Sequence, residues 1–480
     1  MQRTFLSNLS LLLLLNLMIK PAYLLFVETE VQNRVGAEVF GNYAALLNLS
    51  FLLNIFLDLG INTFTSRSVA RQQHMVASYF NSVALLRLSL VALYFVLLLG
   101  AALILQYEGG DLKLLAWLGL NQLLSASILY LRSNLSGMML FSRDAVVSVL
   151  DRAILLIGLG AVLFASPAEE GFNIYWLVYG QTIAYAVGLV VALIMVVQKA
   201  GKIQLRWKPR VNRVILKESL PYALLVLLMM VYYKTDSVML ERMLPDGDYH
   251  SGVYAMGYRL FEASNMVGFL FATLLLPLLS KQLKQKEDTS PLVSNAFRLI
   301  LVGGSVMSFT CAIWPTEILS LVYDAEIEAA SGPFVLLMIA FFFMMMTYLW
   351  GTLLTANGDM KAMNRIAGSA VILNIVLNFI LIPEHTATGS ALASLATQIL
   401  VAVVQITLCY RLVKVKLQNG VFLRALLFLG ILATSAWVTT IIDLAWELEL
   451  AGFLGVAVVS SFLTGLLRLV YVRSLLADRM

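Results

Sequence analysis

The sequence predicts an all-α integral membrane protein with about 14 transmembrane helices, arranged as two pseudo-symmetric six-helix bundles followed by two C-terminal helices. Three observations predict it. Of the 480 residues, 60% are apolar and only 13% charged, against roughly 25% charged in average soluble proteins, and the mean hydropathy is +0.86. Too few polar side chains remain to cover a water-facing surface of this size. Apolar runs of about 20 residues follow one another with short connections. Finally, the basic residues collect in every second connection. The apolar content excludes a disordered chain, and two cysteines, Cys311 and Cys409, exclude a disulfide scaffold.

The spans fall near 5–27, 40–62, 80–106, 113–137, 145–166, 173–197, 218–241, 252–278, 296–322, 332–356, 363–383, 387–410, 421–442 and 450–472. The first begins like a signal peptide, with Arg3 before an apolar run. Lys20-Pro21 and further apolar residues then stand where a small-residue cleavage site would be, so it reads as a helix. With a cytoplasmic N-terminus, the inner segments hold most of the 33 Lys and Arg, among them Arg67, Arg71, Arg132, Arg143, Lys281, Lys284, Lys361, Arg411 and Arg473. The outer loops hold Arg34, Lys113 and Arg242 beside acids such as Glu28, Glu38, Glu169, Asp246, Asp324 and Glu447. This positive-inside bias predicts an even number of spans and two cytoplasmic termini. The net charge of +5 is therefore mostly topology and gives no reason to expect a nucleic-acid partner. The basic stretch from Lys199 to Lys217 joins the sixth and seventh spans, as a solvated loop touching anionic lipid heads.

The chain repeats itself. Gly41-Asn-Tyr43-Ala44 opens the second span and Gly252-Val-Tyr254-Ala255 the eighth; Leu86-Arg87-Leu88 in the third span answers Phe297-Arg298-Leu299 in the ninth. Tyr130-Leu131 and Tyr348-Leu349 match in the fourth and tenth, and Lys20 and Lys234 in the first and seventh. Copies of six spans lie parallel in the membrane. The expected domains are 1–206, 207–417 and a two-helix appendix, 418–480.

Gly41-Asn-Tyr-Ala, Leu57-Asp58-Leu59-Gly60, Leu220-Pro221, Lys234-x-Asp236 with Met239-Leu240, Gly252-x-Tyr254, Tyr258-Arg259-Leu260 and Leu276-Pro277-x-Leu279-Ser280 resemble the polysaccharide transporter family. That family includes flippases for O-antigen and related polyprenyl-pyrophosphate-linked oligosaccharides. Its superfamily also holds lipid II flippases and multidrug and toxic-compound extrusion proteins. The resemblance covers spans one to twelve and implies a transporter working by alternating access in the cytoplasmic membrane. The substrate it implies is a lipid-linked glycan, with membrane lipids, polysaccharide-assembly proteins and a coupling H+ or Na+ as partners and no cofactor.

A charge in the apolar core costs about 2.5–3.5 kcal/mol on insertion scales, so the few present are candidate functional groups. Lys20, Lys234 and Arg259 are expected about 10–12 Å below the outer surface. There they would form a cationic zone for pyrophosphate. The alternative is that both lysines snorkel outward and Arg259 pairs with Glu262. Pro21 disfavours helical geometry at Lys20, and the bend is either a gate or a static kink. Asn16, one turn away, is placed to hold the Lys20 ammonium. Ser50, Asn54, Asp58 and Asn62 form a polar stripe on the second span. Asp58 reaches the level of Arg87, as an inner gate or a stabilising pair. The second copy has Phe269 in place of the acid, an asymmetry that suits an ion site confined to one lobe and that drift would equally produce. Asp236, two residues after Lys234, is a further ion-coupling candidate. Glu262 and Asn265 below Tyr258 could contact sugar, or simply neighbouring helices. Asn374 and Asn378 read as interhelical glue.

The chain has no Gly-rich nucleotide-binding lysine motif, so transport must draw on a gradient or membrane potential. His74, His250 and His385 are scattered near loops, and no catalytic or metal-binding set is apparent. Two other readings remain: a cation-coupled drug antiporter, disfavoured by the cationic zone, and a membrane-embedded glycan polymerase or ligase, disfavoured by the short outer loops.

Overall fold

In hydrocarbon every backbone N–H and C=O needs an internal partner, and long apolar runs meet that demand by coiling. The structure, a computed structural model, describes residues 15–62, 65, 76–138, 140–165, 172–200, 209–418, 420–439, 441 and 444–467. Arg3, Arg67, Arg71, His74, Glu169, Lys202 to Lys208 and Arg473 lie outside these residues, as do both ends of the chain. Among the described residues the protein is helical without a strand, and 11 helices are long and apolar enough to cross a membrane. Two of these contain sharp breaks and supply two spans each. Leu15–Asp58 turns at Gly36 (φ 83°, ψ 165°), giving α1 (15–35) and α2 (37–58). Met360–Val413 turns at Thr386 (φ 49°, ψ −129°), giving α11 (360–385) and α12 (387–408). The other nine are α3 Val76–Ile104, α4 Gly110–Gly137, α5 Phe141–Ala165, α6 Ile174–Ala200, α8 Gly247–Gln285, α9 Ser290–Ile313, α10 Ile327–Asn357, α13 Val421–Thr439 and α14 Trp446–Leu463; α7 Pro209–Met243 is a further long helix beside them. All-α membrane architecture is as expected from the composition.

One connection differs from expectation. Residues 28–39 carry enough charge to read as a loop, yet both helices continue through them to Gly36. The charges are accommodated within the helix. Arg34 Nε lies 2.9 Å from Glu30 Oε1 one turn away, and its guanidinium also donates to the Leu163 carbonyl. Only Gly36 leaves helical geometry, at a φ that other residues adopt at a cost.

The chain divides into two compact units, Met1–Ala255 and Met256–Met480, with the boundary inside α8. In the first unit α1 runs alongside α5 in the same direction: Asn16 meets Ser148 near one end and Arg34 meets Leu163 near the other. Helix α3 is antiparallel to α2, with Arg87 at Asp58 and Tyr94 at Ser50. Helices α4 and α6 are parallel, with Asn121 donating to Val178 and Ile128 beside Gly188. The second unit repeats the pattern one copy later. Gly257 and Gly268 of α8 face Phe334 and Tyr348 of the parallel α10, and Gly332 and Gly351 of α10 face Thr388 and Gln405 of the parallel α12.

Small residues let such helices approach, because lipid tails supply no hydrophobic push between them. The tightest approach joins α2 to the start of α8, within the first unit. A Cβ on Gly41 would collide with the Asp248 carbonyl, and one on Gly252 with the Ala37 carbonyl. The Gln32 amide donates to the Gly252 carbonyl at 3.0 Å and the Ser251 hydroxyl to the Gly41 carbonyl at 3.3 Å, so the seam is bonded as well as packed.

Candidate functional site

Helix α1 carries the first candidate cation. Because it extends to Gly36, Lys20 lies about 24 Å along the helix from that break. Lys234 lies about 14 Å from the end of α7 at Met243. Pro21 is followed at once by a π-helical stretch, Tyr23–Glu28, so the backbone of α1 is irregular next to its lysine. An extra residue in one turn of this kind often marks a functional segment.

Lys20 is half-buried and has Arg132, Arg152, Asp151 and Asp144 as charged neighbours, drawn from α4 and α5. Arg132 Nε lies 2.7 Å from Asp144 Oδ1. The Arg152 guanidinium lies 4.7 Å from the Tyr23 ring centre and 5.7 Å from that of Tyr185, and its Nε is 3.9 Å from Asp151 Oδ2. Ring faces partly replace the water that this cation has lost. The Gln181 amide ties the cluster together, donating to the hydroxyls of Tyr43 at 3.0 Å and Tyr23 at 3.3 Å. Asn16, expected to hold the Lys20 ammonium, donates its amide to Ser148 Oγ at 2.8 Å. The sequence reading missed Arg152 and its partners. The signal was available: an arginine well inside an apolar span, which is costly unless it serves a purpose.

Asp58 and Arg87 come together at 3.3 Å. Arg87 also donates to Asn62 Oδ1 at 3.3 Å and to the Ala126 carbonyl at 2.9 Å, and its guanidinium lies 4.8 Å from the centre of the Tyr130 ring. Asp58 in turn accepts the Asn62 backbone N–H at 3.1 Å. The stripe on α2 thus faces α3 and α4, with the Asn54 amide donating to Gln122 Oε1 at 2.5 Å. Further along, Asp236 is buried and accepts the Tyr254 hydroxyl at 2.8 Å, while Lys234 Nζ sits 5.4 Å from the Phe51 ring centre. In the α3–α4 connection Tyr107 donates to Glu241 Oε2 at 2.7 Å. Burial and that carboxylate push its phenol well above the usual range, so it remains a donor.

The second unit holds Arg259, Glu262 and Asn265 on α8. Arg259 and Asn265 are buried and Glu262 is half-buried. Tyr258 and Glu262 lie within electrostatic reach of Tyr348 on α10, and Tyr258 packs on Phe261 with ring centres 5.7 Å apart. The Asn265 side-chain oxygen is buried without a hydrogen-bond partner. Arg298, the counterpart of Arg87, bonds Asn295 at 3.2 Å and Gln418 at 2.7 Å, the latter in the connection between α12 and α13. Asn378 donates to Asn374 at 3.2 Å, both fully buried.

Comparison with known proteins settles the family. A model described as "Polysaccharide biosynthesis protein" matches residues 5–283, more than half of the chain. The chain belongs to this family. A second model, "Lipid II flippase MurJ", matches residues 146–459, which places the chain within the superfamily of polysaccharide and lipid-linked flippases. No curated protein sequence matches the chain. Among solved structures, a lipid II flippase MurJ in an inward closed conformation is similar with a TM-score of 0.69 at 14% identity, over 96% of this chain and 97% of that one. A Vibrio cholerae MATE transporter, VcmN, is similar with a TM-score of 0.56 at 15% identity, over 88% and 99%. The MATE multidrug transporter DinF-BH gives 0.58 at 15%, over 84% and 95%. Identities this low speak for the fold alone. The chain is a multi-pass membrane transporter of the flippase type and not an enzyme.

Proposed function

We propose that this flippase moves a polyprenyl-pyrophosphate-linked oligosaccharide, an O-antigen or other surface-polysaccharide repeat unit, from the cytoplasmic to the outer leaflet of the cytoplasmic membrane. Both termini face the cytoplasm in this reading, as the loop charges favour. One observation carries the proposal: Lys20, Lys234 and Arg259, all buried or half-buried, stand on helices otherwise built for lipid. Such cations persist where an anion repays their insertion cost. Pyrophosphate oxygens suit ammonium and guanidinium donors. Alternating access exposes the cations to each leaflet in turn, with Pro21 and the Asp58–Arg87 pair as moving parts and the lipid tail left in the bilayer. Asp58 and Asp236 are the carboxylates available to an H+ or Na+ coupling step. Glu262 and Asn265 supply hydroxyl-binding groups for sugar.

The second reading, a cation-coupled drug antiporter, is favoured by the MATE-like fold, but cationic drugs do not suit a cationic site. Reconstitution into liposomes with a fluorescent polyprenyl-pyrophosphate disaccharide separates the two. Lys20→Ala, Lys234→Ala and Arg259→Ala are each expected to slow leaflet transfer by about tenfold or more, the loss of one charge-assisted contact. Transfer at the wild-type rate by all three overturns the reading. Export of a cationic dye in its place supports the antiporter.

A further inference from the structure

Within the second unit α8, α9 and α10 enclose an apolar cavity of about 280 Å³, walled by Val267 and Phe271 of α8, Met307 of α9, and Phe341 and Met345 of α10. Its polar wall residue, Ser264, already spends its hydroxyl on the Leu260 carbonyl at 2.8 Å, so nothing in the lining invites water. Two features show how the space arises. Gly268 and Gly304 let α8 and α9 approach α10 until a Cβ on Gly268 would press on the Tyr348 ring and Met345. Gly303, in the cavity wall, has open space where a side chain would be. The cavity opens outward past Val267 and Met307, which are 52% and 40% exposed.

A slot of this size, left empty in a chain bathed in hydrocarbon, forfeits contacts that a lipid chain would supply. Its place on α8 says which chain. Arg259 lies on the same helix, about 8–18 Å along the axis from Ser264 to Phe271, and Val267 stands on an adjoining face. A cation followed one to three turns later by a dry slot matches a molecule with an anionic head and a hydrocarbon beginning directly beneath it. At about 30 Å³ per small group, the volume takes roughly two isoprene units. Methionine and phenylalanine walls adapt to a branched, unsaturated chain.

We propose that the α8–α9–α10 cavity is a subsite for the head-proximal isoprene units of the lipid-linked substrate. The proposal rests on the flippase reading above and adds that the first units of the tail are held by protein while the remainder stays in the bilayer. Its test uses the full-length protein in nanodiscs with a polyprenyl pyrophosphate carrying a diazirine in its second isoprene unit, alongside a phospholipid with a diazirine in its acyl chain. The isoprenoid probe is expected to label Val267, Met307 or their neighbours. Gly303→Leu, which fills the cavity, and Met307→Trp, which blocks its mouth, are expected to cut that labelling and leaflet transfer by about tenfold or more. Gly100→Leu on α3, also facing open space, is the control for an added leucine. Labelling elsewhere, with both variants transferring at the wild-type rate, overturns the subsite while the flippase reading stands. Equal labelling by the phospholipid probe assigns the cavity to bulk lipid and overturns it too. Failure of the wild type to transfer any polyprenyl substrate removes the flippase reading itself. Monodisperse elution with an unchanged thermal transition certifies each variant as folded.

Discussion

Arg87 makes three kinds of contact at once: an ion pair with Asp58, a hydrogen bond to the Ala126 carbonyl and a face-on approach to Tyr130. Removing its partner strands a buried guanidinium, so Asp58→Ala is expected to destabilise the protein by about 3 kcal/mol in detergent thermal unfolding. The exchange Asp58→Arg with Arg87→Asp should recover only part of this, because a carboxylate cannot donate to Ala126. Full recovery would show that the carbonyl bond contributes little. Arg152, sandwiched by Tyr23 and Tyr185, calls for a different substitution series. Arg152→Lys keeps the charge but loses the planar stack, costing about 1 kcal/mol, whereas Arg152→Leu leaves Asp151 without its cation and costs more. Chemical melts of the two variants check this order. The Asp58–Arg87 proximity was legible because both residues are charges in apolar spans whose register can be counted from the same side. The Lys20 neighbourhood was not, because Asp144 and Arg152 reach it only through the packing of α1 beside α5, which no local spacing encodes.

Backbone shape decides where the helices bend. Gly36 needs a φ of 83°, and Thr386 holds 49° with a side chain present. Thr386→Gly is therefore expected to stabilise by about 1 kcal/mol net, and Gly36→Ala to destabilise by a similar amount. Gly41 and Gly252 are constrained by neighbours instead. Alanine at either meets a carbonyl oxygen, so each variant is expected to lose stability by about 3 kcal/mol or more. Alanine at Gly100 or Gly158, which face open space, should gain slightly from its better helix propensity. Equal melting of all four variants would refute the close approach. Pro21→Ala, relieving the interruption before the π stretch, should raise the melting temperature and slow transfer if bending is part of transport. The Gly41/Gly252 pair was visible in the sequence as matching openings of two spans, but only the structure shows them meeting across one seam. The helical continuation through 28–39 was hidden because charges paired along a helix look, in sequence, like charges in a loop.

At the level of the whole chain, the copies have kept their helix arrangement and diverged in chemistry. Parallel α4 and α6 correspond to parallel α10 and α12, yet Arg87 meets an acid while Arg298 meets Gln418 beyond the second copy. The second copy's arginine thus ties its bundle to the connection leading to the two additional helices. Arg298→Ala should therefore loosen the attachment of α13 and α14 more than the bundle. Faster protease cleavage within 414–418, at an unchanged melting temperature, is the expected result.

The single-residue junction at Gly36 has a consequence for how the protein is made. With no loop between them, α1 and α2 cannot settle in the bilayer independently. Lys20 weakens the first helix as an inserting segment, and its polar neighbours on α4 and α5 have yet to be synthesised when it leaves the ribosome. The two helices should enter the membrane together as one hairpin. Nascent chains arrested before Asp58 are accordingly expected to be extracted by alkali, and chains extended past it to resist extraction.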